Sequence, residues 1–126
     1  MTDFNRWQHL AQTQRFIDSA LVAGKSHQAL SGETFAVINP ATNALLANVA
    51  ACSDADVDAA VRIARARFES GPWARMQPRE RKAIVLRLSD LILAHREELA
   101  LLDSLSMGKP VMDAYSIDVP GAAGVF

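Results

Sequence analysis

The segment from Ser53 to Gly71, SDADVDAAVRIARARFESG, decides the class of fold. Its apolar residues recur at three- and four-residue steps; they are Val57, Ala60, Val61, Ala64 and Phe68. That period is typical of an amphipathic helix and not of a strand. Ser53 with Asp56 three positions later has the form of a capping box, and Gly71 with Pro72 behind it ends the pattern. We therefore predict a helix over residues 54–69.

Helical periodicity also governs the start and the second half of the chain. The opening residues carry one apolar stripe at helical spacing and predict a helix near residues 3–18. Pro78 suits a first helical turn and predicts a helix over 78–94. The pattern changes phase near His95 and predicts a continuation over 95–107, which leaves open whether one bent helix or two are present. Gly108 is expected as the left-handed residue that ends it.

The region between the first two helices has strand character. Short apolar runs separated by glycine- and asparagine-rich turns predict hairpins over residues 21–30 and 35–50. Asn39-Pro40 interrupts the second hairpin, because proline cannot donate a hydrogen bond to a strand ladder. Helices and short antiparallel hairpins together predict an α/β class that is rich in helix.

The domain organisation follows from these segments. Residues 1–126 are interpreted as a single incomplete domain with an N-terminal helical segment over 1–19, hairpins over 20–50 and helices over 53–126. Asp118 is a candidate N-cap for a further helix that starts at Val119. Only eight residues remain for that helix, and two turns are unstable without packing. We therefore expect the protein to continue beyond residue 126.

Composition excludes several classes of function. The 126 residues contain 13 Lys and Arg against 14 Asp and Glu, a net charge of −1. Nucleic-acid binding normally requires a large positive excess, so it is not expected. The first twenty residues lack the apolar run of a secretory signal, and no stretch has the length of a membrane span. A single cysteine fits a reducing compartment, and we expect a cytoplasmic protein without a membrane partner.

No set of residues forms a recognisable catalytic or phosphate-binding motif. Cys52 precedes the Ser53 cap, but the acidic residues that follow it would raise the pKa of a thiol, so a structural role is favoured over a reactive one. His9, His27 and His95 have no metal-ligand spacing. The glycines never form GxGxxG, and Gly108-Lys109-Pro110 lacks the rest of a phosphate loop.

The order of several short segments nevertheless resembles the N-terminal region of the aldehyde dehydrogenase superfamily. The matching segments are Phe35 to Asn43, Val49-Ala50, Asp56 to Val61 with Ala64-Arg65, Pro72 to Met76, Arg81 to Ile92, and Glu98-Leu99 through Gly108-Lys109-Pro110. The resemblance covers roughly residues 20–126 and implies the N-terminal piece of the aldehyde dehydrogenase fold. Asp118 to Ala123 is most similar to the bacterial γ-glutamyl-γ-aminobutyraldehyde dehydrogenases of polyamine breakdown.

This resemblance implies an NAD- or NADP-dependent oxidation of an aldehyde to a carboxylate through a cysteine thiolate and a glutamate-activated water. In the family the nucleophile, the general base and the nucleotide-binding loop lie downstream of the matched region. The implied sites of this chain therefore include no catalytic and no cofactor-binding residue, and Cys52 does not correspond to the nucleophile. The implied role is a scaffold for the coenzyme domain, and the implied partners are the rest of the dehydrogenase chain and further copies in a homo-oligomer.

The resemblance also implies one metal ligand and three departures from the family pattern. Some members bind a monovalent cation through carbonyls near Ile38 and an acidic residue before the GKP sequence, where this chain has Ser106. Ala23 replaces the asparagine of an Asn-Gly turn and Ser26 replaces an aromatic residue, which is expected to loosen the first hairpin.

Two other interpretations stay open from the sequence. One is an independent helical interaction module without catalysis. The other is a small redox protein in which Cys52 is a reactive thiol. Neither carries a motif of its own, so both are distinguished from the scaffold only by experiment.

Overall fold

The computed structural model describes residues 3–126, in which a helix and two strand pairs precede a series of helices. The elements are α1 (Asp3–Thr13), β1 (Ala20–Val22), β2 (Lys25–His27), β3 (Thr34–Ile38), β4 (Leu45–Ala50), α2 (Asp54–Ser70), α3 (Pro72–Arg75), α4 (Pro78–Ala94), α5 (Arg96–Met107), α6 (Val111–Asp113), a π-helix (Ala114–Asp118) and α7 (Val119–Gly124). β1 pairs with β2 and β3 with β4. This composition confirms the predicted α/β class with short hairpins.

The chain folds into two compact units, each assembled from separate stretches. One unit contains the described residues up to Phe16 together with Ile38–Leu46 and Lys82–Phe126. The other contains Ile17–Val37 and Ala47–Arg81. We call them the α5 unit and the α2 unit after their principal helices. The interpretation as a single incomplete domain stays a prediction.

Helix α2 begins and ends where its sequence predicts. The backbone N–H and the hydroxyl of Ser53 both lie 2.8 Å from Oδ2 of Asp56, and the Leu30 N–H donates to Oδ1 at 3.0 Å. The Ser53 backbone bond, then its hydroxyl and the Leu30 N–H, hold the pKa of Asp56 below its usual range. The helix N-terminus is thereby joined to the segment that follows β2.

Helix α1 is shorter than predicted. It ends at Thr13, whereas the periodicity predicted helix to residue 18. The Thr13 hydroxyl donates to the carbonyls of His9 and Leu10 at 3.3 and 3.2 Å, so it competes for the Leu10 carbonyl that the next residue of a longer helix would use. Ile17, the last apolar residue of the predicted stripe, is exposed and gives a longer helix nothing to pack against. Residues 1 and 2 of the predicted segment lie outside the described residues.

Two helices, and not one bent helix, cover residues 78–107. α4 ends at Ala94 and α5 begins at Arg96, with His95 between them at φ −98° and ψ 19°. The Leu99 N–H still donates to the His95 carbonyl at 3.0 Å, so the interruption is a single residue. Gly108 ends α5 at φ 77°, and its N–H donates to the Ser104 carbonyl, which confirms its predicted role.

Both predicted hairpins are present. In the first, Ala20 pairs with His27 and Val22 with Lys25, which leaves Ala23 and Gly24 as the two-residue turn. Ala23 has φ 53° and Gly24 φ 76°. Two positive φ values define the turn that Asn-Gly suits best, and alanine carries a Cβ penalty there of about 1–2 kcal/mol.

Replacing Ala23 by asparagine is expected to stabilise this hairpin. Asparagine tolerates the left-handed region better than alanine, so opening of the hairpin should cost about 1 kcal/mol more. Amide hydrogen exchange of Lys25 and His27, the β2 residues in hydrogen-bonded pairs, should then slow about fivefold at fixed pH. Ala23→Val is the matched control and should speed exchange, because a β-branched residue is strongly disfavoured at positive φ. Equal exchange in all three proteins would contradict the strain assigned to Ala23.

The C-terminal segment differs from its prediction. Helical structure starts at Val111, and Asp118 has φ −71° and ψ −50° inside a continuous helical run. Asp118 is therefore not an N-cap, because a cap residue has extended dihedrals. Its carboxylate instead forms an ion pair with Lys109. Aspartate is a typical N-cap residue. Here, however, the helical residues that precede Asp118 already accept the backbone hydrogen bonds that a cap side chain would accept.

Few side chains are buried, and many large apolar ones are exposed. In the α5 unit the core cluster consists of Ala100, Ala114 and Val119, with Ile92 and Tyr115 packed against it. The 17-residue helices α2 and α4 contain no buried residue. The accessible surface is 9288 Å², whereas two compact globules that shared this mass equally would together expose about 8,000 Å². Within residues 3–126, no helix combines the length and the hydropathy that a membrane span needs.

Candidate functional site

The predicted cation ligand Ile38 lies at the end of β3, just before a tightly bonded turn. The Asn39 N–H donates to the Ala44 carbonyl at 2.8 Å, and the Asn43 N–H donates to the Asn39 carbonyl at the same distance. Asn39 is buried, and its Oδ1 accepts the Ala41 N–H at 2.9 Å. These bonds give the backbone at Ile38 a fixed position.

The same turn contacts the end of α5. A Cβ placed on Gly108 would lie 3.0 Å from Cγ of Pro40, so backbone and proline ring are in direct contact. Ile38 and Ser106, which are 68 positions apart in the sequence, therefore belong to two neighbouring segments of the α5 unit. The family resemblance implied that these two segments meet, but the residues alone did not.

Ser106 offers little to a cation. Its hydroxyl donates to the Leu102 carbonyl at 2.8 Å, the helical bond that serine often forms one turn back. A neutral hydroxyl occupied in this way does not replace a carboxylate ligand. Among the described residues, no three His, Cys, Asp or Glu side chains converge on a metal position. The cation site that the resemblance implies needs an acidic ligand as well as the carbonyl oxygens near Ile38. Because Ser106 stands at the acidic position, these residues do not form a complete site.

A polar cluster that the sequence did not predict stands beside this turn. Lys109 Nζ forms an ion pair with Oδ2 of Asp118, and both side chains are partly exposed. The hydrogen bond to Asp118 raises the pKa of Lys109, and the charges of Asp103 and Asp113 add to that effect. The Lys109 carbonyl accepts the Ser104 hydroxyl at 2.7 Å. The one sequence signal for this cluster is the position of Gly108-Lys109-Pro110 at the predicted end of a helix.

Cys52 lies on an apolar cleft of the α2 unit. The cleft has a volume of about 240 Å³, and its walls include Val57, Ala60 and Ile63. The thiol is exposed and unpaired with another cysteine. His27, 25 positions away in the sequence, lines the same cleft, although the described hydrogen bonds include none between the two. The sequence did not predict that His27 and Cys52 line the same cleft, because only the folded hairpin places them there.

The three histidines lie in three separate segments of the chain. His9 is an exposed residue of α1. His95 Nδ1 lies 3.2 Å from Oε2 of Glu98, one turn along α5, as expected for a surface pair. His27 is exposed on β2. The structure brings no two of the three histidines together.

The glycines of the described residues do not gather into one phosphate-binding turn. A nucleotide phosphate is usually held by successive backbone N–H groups in a glycine-rich turn at a helix N-terminus. The three glycines with positive φ, at positions 24, 32 and 108, stand in three separate turns.

Comparison with known proteins gives one consistent result. The family model described as "Aldehyde dehydrogenase family" matches residues 27–126. The chain is 40% identical to the NADP/NAD-dependent aldehyde dehydrogenase PuuC of Escherichia coli (strain K12) over 117 residues, 93% of this chain and 24% of that protein. It is 45% identical to the aminoacetaldehyde dehydrogenase of Pseudomonas aeruginosa over 111 residues, 88% of this chain and 22% of that protein.

A solved structure agrees with these sequence matches. The γ-glutamyl-γ-aminobutyraldehyde dehydrogenase from Burkholderia cenocepacia J2315 superposes with a TM-score of 0.92 at 44% identity, covering 95% of this chain and 24% of that one. The chain thus spans about a quarter of the length of the relatives it matches.

Proposed function

The chain belongs to the aldehyde dehydrogenase family, and we propose that it is the N-terminal scaffold of an NAD(P)-dependent enzyme that oxidises an aldehyde to an acid. The proposed substrate class is a polyamine-derived aminoaldehyde. The names of two relatives, an aminoacetaldehyde dehydrogenase and a γ-glutamyl-γ-aminobutyraldehyde dehydrogenase, support that class. We propose that residues 1–126 alone are inactive, because the family resemblance implies that the catalytic and nucleotide-binding residues lie downstream of the matched region.

The exposed apolar side chains carry this proposal. Val57, Val61 and Phe68 on α2 are each more than half exposed, although their spacing defines the apolar face of that helix. Helices in proteins gain most of their stability from packing such a face. A partner surface is therefore required, and the relatives, about four times as long, supply a candidate for it. We propose that the partner is the remainder of an aldehyde dehydrogenase chain.

The remaining proposals concern the cofactor, the cation and the cell. NAD or NADP would be held by that remainder, because the described residues do not form a phosphate-binding turn. Ile38 is the one ligand we propose for a monovalent cation, through its carbonyl oxygen, a ligand type that such ions accept. Since the acidic ligand is missing at Ser106, no step of the reaction is assigned to a cation. We propose a cytoplasmic location and assembly into a homo-oligomer.

Complementation tests the proposal. The purified chain is mixed with the P. aeruginosa aminoacetaldehyde dehydrogenase from which the matching N-terminal quarter has been removed, and NADH is followed at 340 nm with aminoacetaldehyde. We expect no NADH from either piece alone and aldehyde-dependent NADH from the mixture. Val61→Glu should abolish the gain, because it places a charge on the apolar face of α2.

Arg62→Glu is the matched control on the adjacent, exposed position and should retain the gain. NADH production by the chain alone would contradict the proposed inactivity. No gain from the mixture, together with cooperative unfolding of a monodisperse monomer, would instead favour the independent interaction module. Unusually fast reaction of Cys52 with a neutral alkylating reagent would favour the redox protein.

A further inference from the structure

The helical run from Val111 to Gly124 contains a π-helix at Ala114–Asp118. The Val119 N–H donates to the Ala114 carbonyl, five residues back. The next bond of the same type would join residue 120 to the Tyr115 carbonyl, but Pro120 has no N–H. Pro120 therefore leaves the Tyr115 carbonyl without a backbone donor.

Arg96 supplies the missing donor from the neighbouring helix. Its Nε donates to the Tyr115 carbonyl at 2.5 Å, and its Cζ lies 3.9 Å from the centroid of the Tyr115 ring. The Tyr115 ring also contacts Trp7 of α1, with an edge-to-face geometry and centroids 5.8 Å apart. One guanidinium thus satisfies the carbonyl and holds the aromatic side chain of the same residue.

The π-helix also determines which side chains enter the core. The buried residues of this run are Ala114, Val119 and Ala123, at steps of five and then four. In a straight α-helix five residues advance about 500°, roughly 140° beyond one full turn, so Ala114 and Val119 could not share a face. An α-helical register would place Asp118 in the buried position and would separate its carboxylate from Lys109.

We propose that Arg96 is a positioning residue that locks this segment in the π register by supplying the donor that Pro120 lacks. In the π register Val119 is buried in the core, and the Asp118 carboxylate is placed to form its ion pair with Lys109. The lock goes beyond the proposed scaffold function, because it is a property of the chain itself and holds whatever reaction the whole protein catalyses. π-Helices are rare and occur mostly as single turns inside α-helices.

A double-mutant cycle on the 126-residue chain tests the lock, with hydrogen exchange of the Val119 amide, observed by NMR, as the readout. Arg96→Met keeps the apolar stem and removes the donor, and should lower the protection of Val119 about tenfold. Pro120→Ala restores an N–H that can bond the Tyr115 carbonyl. In the Pro120→Ala background the effect of Arg96→Met should shrink to about twofold or less.

Arg87→Met, on the exposed surface of α4, is the control and should change the protection of Val119 less than twofold in either background. A general loss of stability would lower protection equally in both backgrounds and would overturn the proposal. A Val119 amide that exchanges at the unprotected rate in the unsubstituted chain would also overturn it, because no locked bond to Ala114 would then exist.

Discussion

Replacing Gly71 by alanine is expected to destabilise the α2 unit by about 3 kcal/mol. Gly71 is buried directly after α2, and a Cβ there would lie 2.2 Å from the Arg67 carbonyl oxygen. The Gly71 N–H donates to that same oxygen at 2.8 Å, so relief of the clash requires the terminal bond of the helix to break. Urea unfolding and amide exchange across α2 measure the loss.

Gly121→Ala is the matched control and should have the opposite sign. Gly121 lies in α7, and a Cβ there would meet nothing within 4 Å. Alanine in a helix interior is more favourable than glycine by about 0.5–1 kcal/mol, so the α5 unit should become slightly more stable. A Gly71→Ala protein as stable as Gly121→Ala would show that the end of α2 has room that the structure does not provide.

Replacing Ala100 by leucine is expected to destabilise the α5 unit by about 2–3 kcal/mol. Ala100 is fully buried on α5 and packs in the cluster with Ala114 and Val119. A larger side chain must displace the π-helix or Val119, because Ala114 is also fully buried on the facing segment. The loss should appear in urea unfolding and as faster exchange of the Val119 amide.

Ala64→Leu serves as the control for this substitution. Ala64 is exposed on α2, and alanine and leucine have similar helix propensities, so its unfolding free energy should change by less than about 0.5 kcal/mol. Equal effects at the two positions would mean that the cluster around Ala100 is loosely packed.

Local chemistry made most of the helices predictable. The boundaries of α2 depend on the Ser53–Asp56 hydrogen bonds at one end and on Gly71-Pro72 at the other, and both lie within a few residues of the positions they affect. The end of α5 at Gly108 has the same origin. The end of α1 depends instead on whether Ile17 finds a packing partner, which its own sequence does not reveal.

The π-helix and the candidate site depend on contacts between distant residues. Asp118 has a side chain typical of an N-cap, and only the fold shows that the helix starts at Val111 and continues through Asp118. The contact of Pro40 with Gly108 joins segments 68 positions apart. Periodicity and capping rules describe neighbours along the chain and carry no information on such contacts.

The interleaving of the two units has a consequence for synthesis on the ribosome. Arg6 of α1 forms its ion pair with Glu97 of α5, a partner 91 residues later in the chain. At the usual rates of translation that interval lasts roughly 5–20 s. During that time Trp7 and Ala11 have no α5 to face, so the apolar stripe of α1 stays open to solvent until the second half of the chain has been made.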